Sequence, residues 1–131
     1  MTEMDAAAPR VLVIFPGALG DLICLLPVLG VVRARHRRSD IALIAKAELA
    51  RFAVGRMPID RAYSIDRREI SLLFSDASES LIEAQRFFGR FERIYSFLAS
   101  DDSAYRHNLE RAAGAFAVGE LAGYRLPRGA C

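Results

Sequence analysis

The chain has 131 residues, 53% hydrophobic and 26% charged, which is long enough for one domain with a real core and too apolar for intrinsic disorder. Eighteen Lys+Arg against sixteen Asp+Glu leave a net charge of +2, too balanced for a protein that lives by neutralising a nucleic-acid backbone, so no nucleic-acid partner is expected. The two cysteines, Cys24 and Cys131, cannot make a multi-disulfide framework, offer no CxxC pair for zinc, and suit a reducing, cytoplasmic setting.

In chain order, residues 1–10 read as a polar, Ala-rich leader whose Glu3 and Asp5 argue against a secretory signal. Val11–Phe15 is a continuous run of β-formers stopped by Pro16-Gly17, the pattern of a strand buried on both faces. Asp21–His36 reads as a helix with a kink at Pro27 and with Arg33, Arg35, Arg37 and Arg38 at the end where the dipole favours cations. Its apolar stretch Leu22–Val32 is eleven residues long, short of the ~20 that span a bilayer. Ile41–Ala45 is a second buried strand, followed by a short helix carrying Leu49, Phe52 and Ala53 and ending at Gly55.

A weaker third strand is expected over Arg61–Asp66, then a loop with local helix over Arg67–Ser75. Asp76 with Glu79 resembles a capping box for a helix in which Leu81, Ala84 and Phe88 share a face, with Gly89 as its stop. A fourth strand is expected over Arg93–Leu98. Ser100 or Asp101 is then positioned to cap a helix with Tyr105, Leu109 and Ala112 on one face and Gly114 at its end, before a brief Ala115–Val118 strand. Residues 119–131, with Gly123, Pro127 and Gly129, read as a linker. Strands alternating with helix-period segments imply an α/β, Rossmann-like parallel sheet with helices on both faces over 11–118.

In such sheets ligands bind beyond the carboxyl ends of the strands, which directs attention to Pro16–Asp21, Lys46, Asp66–Arg68 and Ser100–Asp102. The turn Pro16-Gly17-Ala18-Leu19-Gly20-Asp21 carries two glycines that allow a sharp bend and close backbone approach, and ends in a carboxylate at the start of a helix. Asp21 serves there either as a helix cap or as a base facing the crevice. The spacing Gly17-x-x-Gly20 is not GxGxxG, and Lys46 stands where a dinucleotide site wants an acid. With no G-K-[ST] after the glycines a P-loop is excluded, and His36 and His107 lack metal-ligand spacing.

The run Val11–Ile23 with its PGALGD turn, then Leu25-Leu26-Pro27-Val28-Leu29 and the arginine-rich helix end, resembles the N-terminus of family 9 glycosyltransferases, the ADP-heptose:lipopolysaccharide heptosyltransferase group. The similarity is specific in the turn and the following LLP; from there to about Tyr124 it is one of element order. The resemblance implies the N-terminal, acceptor-side half of a GT-B enzyme that transfers a heptose-like sugar from a nucleotide donor to a lipopolysaccharide-type acceptor, with inversion and without a metal. It casts Asp21 as the general base, with Gly17, Ala18, Leu19 and Gly20 around the acceptor. Arg67 and Arg68 stand where acceptor phosphates would dock; each is otherwise part of a solvated turn. Lys46, Ser100 and Asp101 join the set by position alone.

No cofactor is expected in this chain, because the nucleotide sugar belongs to a C-terminal donor-binding domain that these residues do not contain. Contact of Arg33–Arg38 with anionic lipid at the inner membrane surface is a further expectation. Two rival readings stand beside the transferase: a non-catalytic Rossmann-like binding module, and a fragment of a nucleotide-binding enzyme of other chemistry.

Overall fold

The computed structural model describes residues 9–75, 78–98, 102–114 and 117–119. The elements are β1 (Arg10–Ile14), α1 (Leu19–Arg35), β2 (Asp40–Ala45), α2 (Ala47–Ala53), β3 (Arg61–Ser64), α3 (Arg68–Leu72), α4 (Ser78–Phe88), β4 (Arg93–Ser96) and α5 (Ser103–Ala113). The strands form one parallel sheet in the order β3-β2-β1-β4, with Ile14 opposite both Ile44 and Ser96, and Ala45 opposite Ser64. The fold class is thus the α/β, Rossmann-like one that the buried strand pattern implies.

Burial on both faces explains why β1 and β2 read as unbroken apolar runs. Val11, Val13 and Phe15, with Ile41, Leu43 and Ala45, face a core layer built from Leu22, Leu25, Val28, Leu29 and Val32 of α1 and Leu49 and Ala53 of α2. The alternate residues Leu12, Ile14, Ala42 and Ile44 face a second layer containing Ile70, Ala84, Phe87, Phe88, Leu109 and Ala112 from α3, α4 and α5. Asp60 ties the first layer to the sheet, its Oδ2 accepting from Arg33 Nη2 at 2.7 Å and from the Ile41 N–H at 2.8 Å. Although burial alone raises a carboxyl's pKa, these two donors hold Asp60 below the ordinary value.

Several boundaries differ from those expected, each for a local reason. α1 starts two residues early, at Leu19, and continues as one helix through Pro27. β3 stops at Ser64 and β4 at Ser96 because each serine Oγ accepts an N–H two residues on, from Asp66 at 3.1 Å and Leu98 at 3.3 Å, which turns the chain out of the ladder. The stretch after β3 is more helical than expected, holding α3. α4 begins at Ser78, whereas Asp76 lies outside the described residues. The cap of α5 is Asp102 rather than Ser100 or Asp101: its Oδ1 accepts from the N–H groups of Ala104 and Tyr105 at 3.0 and 3.1 Å. Of the brief strand expected at Ala115–Val118, Val118 forms a single parallel bridge to Ile94, and Ala115 and Phe116 lie outside the described residues. Gly55 and Gly114, with φ of +84° and +98°, follow α2 and α5 as helix stops.

Candidate functional site

Because all four strands are parallel, the segments that follow them share the carboxyl edge of the sheet. The chain runs outward from β1 through β2 to β3 and then returns to place β4 on the other side of β1, so the connections diverge between β1 and β4. In parallel α/β sheets such a divergence is where ligands bind, in the crevice beyond the strand ends. The Phe15–Asp21 segment stands on one side of it and the end of β4 on the other.

The turn is built around Phe15, whose N–H continues the ladder to the Ile44 carbonyl at 2.8 Å while its ring is buried in the α1 layer. A Cβ on Gly17 would lie 2.5 Å from Phe15 Cζ and 2.8 Å from Asp21 Cβ, so glycine is required here for close packing. Gly20 differs: a Cβ there meets nothing within 4 Å, and the residue is exposed in the first helical turn. Ala18, the residue before α1, has an extended backbone and no side-chain acceptor, and its carbonyl takes the first helical bond, from Leu22 N at 2.9 Å.

Asp21 is half-buried in the first turn of α1, and its Oδ2 accepts the Ala18 N–H at 3.2 Å. It thereby supplies the reciprocal half of a capping box in which the other half has no acceptor. Its second carboxylate oxygen has no hydrogen-bond partner among the described residues. The carboxylate therefore braces the turn through one oxygen and keeps the other available, an arrangement that leaves cap and base compatible. The first-turn N–H groups of Leu19, Gly20 and Asp21 precede the first helical bond and favour negative charge at the same place.

The other residues singled out by sequence are distributed along this edge. Lys46, exposed at the end of β2, precedes α2 and enters no ion pair among the described residues. Arg67 and Arg68 follow β3, two strands from β1 and hence about 10 Å away along the sheet. The Arg67 guanidinium lies over the rings of Tyr63 and Phe87, 4.9 and 4.6 Å from their centroids, and its Nε donates to Glu69 Oε1 at 2.9 Å. Arg68, more exposed, donates to Glu83 Oε2 at 2.7 Å. Ser100 and Asp101 lie outside the described residues.

Sequence reasoning missed a polar pair on the far side of the crevice. Ser96, directly across the sheet from Ile14, shares a 2.9 Å hydrogen bond between its Oγ and the Tyr105 hydroxyl. Burial pushes the Tyr105 phenol up to about 12, so it remains a neutral hydrogen-bonding group, and Phe74 stacks on its ring at 5.0 Å. The helical spacing identified Tyr105 as core; its hydroxyl could be assigned a partner only once β4 was placed beside β1. No helix of the described residues is long and apolar enough to cross a membrane.

No protein-family model matches the chain, and no curated protein does. Among solved structures it is similar to the glycosyl transferase family 9 protein from Veillonella parvula DSM 2008, with a TM-score of 0.53 and 19% identity. The similarity covers 79% of this chain and 29% of that one. At this identity the likeness is one of fold: the sheet and its helices follow the arrangement of part of that transferase.

Proposed function

We propose that the chain is the acceptor-side domain of an inverting, metal-independent glycosyltransferase, with Asp21 as the base. The observation that carries this reading is the position of Asp21, on a close-packed glycine turn after β1, beside which the connections diverge towards β2 and β4, with one oxygen engaged and the other without a hydrogen-bond partner among the described residues. The likeness to part of a family 9 transferase and the PGALGD sequence of the turn support it.

In the proposed reaction, an acceptor hydroxyl bound over the turn attacks the anomeric carbon of a nucleotide-activated sugar. Asp21 takes the hydroxyl proton as the new C–O bond forms and the bond to the leaving nucleotide breaks, with the bonding electrons departing on the phosphate. A carboxylate steadied by the Ala18 N–H is held in orientation for this work. The nucleotide donor binds a second domain; this chain spans 29% of the transferase it resembles.

From the turn's resemblance we assign a heptose-like sugar and a lipopolysaccharide-type acceptor, whose phosphates would meet Lys46, Arg67 and Arg68 once the arginines exchange their glutamate partners. The test is transfer of labelled sugar to a water-soluble acceptor by the chain joined to the donor-binding domain of a family 9 transferase. Asp21→Ala is expected to lower the rate by about 10²- to 10⁴-fold, the usual contribution of a positioned base. An unchanged rate would leave a binding module without chemistry.

A further inference from the structure

We infer that Phe74 is a stacking platform for a sugar ring of the acceptor, a ring other than the one whose hydroxyl Asp21 deprotonates. The inference rests on the transferase reading of this edge of the sheet and adds a second subsite to it, which makes the acceptor an oligosaccharide.

Phe74 follows α3 and is 52% accessible, yet its ring and its backbone are both held. One face of the ring stacks on Tyr105, with centroids 5.0 Å apart and planes inclined by 27°. Tyr105 is buried in the first turn of α5, and its hydroxyl is fixed by the 2.9 Å hydrogen bond with Ser96 Oγ. Asn108 Nδ2 donates to the Leu73 carbonyl at 2.8 Å, and the Phe74 N–H donates to the Ser71 carbonyl at 3.1 Å. Tyr105 and Asn108 stand at i and i+3, so one face of α5 secures the ring and the main chain that carries it.

Its position connects it to the glycine turn. Because α5 leaves the carboxyl end of β4, a ring stacked on the first turn of α5 belongs to the same edge of the sheet as the turn after β1. Ser96 pairs with Ile14, one strand spacing of about 4.8 Å from the end of β1. Phe74 is one stacked contact and one hydrogen bond beyond Ser96.

A leucine at position 74 would cover Tyr105 equally well. What phenylalanine adds is a second flat face, and with Tyr105 on one side that face is the one left to water. An aromatic face carries partial negative charge and attracts the positively polarised C–H groups along one side of a sugar ring, while the sugar's hydroxyls remain at the rim. The flanking residues Ser71, Asp102 and Ser103 are exposed and polar; Asp102 caps α5 through Oδ1, and its other oxygen has no hydrogen-bond partner among the described residues. A protein partner would need about 800 Å² of this surface, whereas the second large apolar side chain exposed on the α3–α5 layer is Ile82 of α4. One ring fixed before binding suits a small, partly apolar ligand face and costs little ordering when it binds.

Binding of a deacylated lipopolysaccharide core oligosaccharide to the chain tests this by calorimetry. Phe74→Leu is expected to weaken binding about five- to tenfold, the usual worth of one aromatic contact, and Phe74→Trp to bind at least as tightly as wild type. The chain contains no Trp, so Phe74→Trp also supplies a single reporter, whose emission is expected to shift on titration with the oligosaccharide and to stay unchanged with inorganic polyphosphate. No binding by the wild-type chain, or unchanged affinity in Phe74→Leu, would overturn the inference. A loss in Phe74→Leu that Phe74→Trp shares would also overturn it and assign Phe74 to packing on Tyr105. An equal shift with polyphosphate would overturn it in favour of a surface that reads charge alone. These titrations need no sugar donor and leave Asp21 in place, whereas the transfer rate of an Asp21 variant reads the base, so the two readings fail separately.

Discussion

Gly17 and Gly20 are indistinguishable as letters in PGALGD, yet the structure gives them opposite tolerances. A methyl group at position 17 would be driven into Phe15, a buried ring with no space to move, and into the Cβ of the residue proposed as base. Gly17→Ala is expected to cost about 1–3 kcal/mol, the usual range for overpacking, in urea denaturation. Gly20→Ala meets open space in a helical turn and should be neutral or stabilising by up to about 1 kcal/mol. Equal effects of the two substitutions would contradict the geometry. The turn itself was legible in the sequence, because a β-run ending in Pro-Gly and followed by a carboxylate is a local pattern. The surroundings of Arg67 were not: its ring partner Phe87 lies twenty residues on and across a helix, and no local spacing announces that contact.

At the scale of elements, helix and strand existence followed from periodicity, whereas the ends were decided by single hydrogen bonds. Serines that close on their own backbone trimmed β3 and β4, and the cap of α5 is Asp102, whose carboxylate reaches two N–H groups. Asp102→Ala is expected to destabilise the fold by about 1 kcal/mol in the same denaturation assay. The junction of α1 with β4 carries a pH dependence. His36 ends α1 with its Nε2 2.9 Å from the Tyr95 hydroxyl. Burial, aided by Arg93 and Arg35 and opposed by Glu92, places its pKa below the ordinary 6.5. The unfolded chain therefore binds this proton more readily than the folded one. Stability from His36 is present above pH 6.5 and declines as pH falls through the lowered value. Thermal melts between pH 7 and about pH 5 should show the decline, and His36→Gln should flatten it; an unchanged slope in the variant would assign the effect elsewhere.

At the scale of the whole molecule, buried parallel strands announced the α/β class, because strands covered on both faces must be apolar at every position. The order β3-β2-β1-β4 was not legible, since the return of the chain to the far side of β1 depends on packing between segments remote in sequence. That return makes the divergence between β1 and β4 and sets Ser96, with its Tyr105 partner, beside Ile14 at the end of β1 that leads into the glycine turn. The small net charge likewise conceals local pairing: Arg67, Arg68 and Arg106 on the α3–α5 layer each meet a glutamate, whereas Arg86, Arg90 and Arg111 on the same layer, like Arg35, Arg37, Arg38, Arg51 and Arg56 on the other, enter no ion pair among the described residues.

The proposal that Asp21 acts as a base is separable from its role in the turn by Asp21→Asn, whose amide oxygen can still accept the Ala18 N–H but cannot take a proton from a hydroxyl. The deciding measurement is the sugar-transfer rate of this variant with a water-soluble acceptor, made alongside its melting temperature. The account predicts a melting temperature close to wild type and a rate reduced by about 10²- to 10⁴-fold; a variant that melts and transfers like the wild type would contradict it.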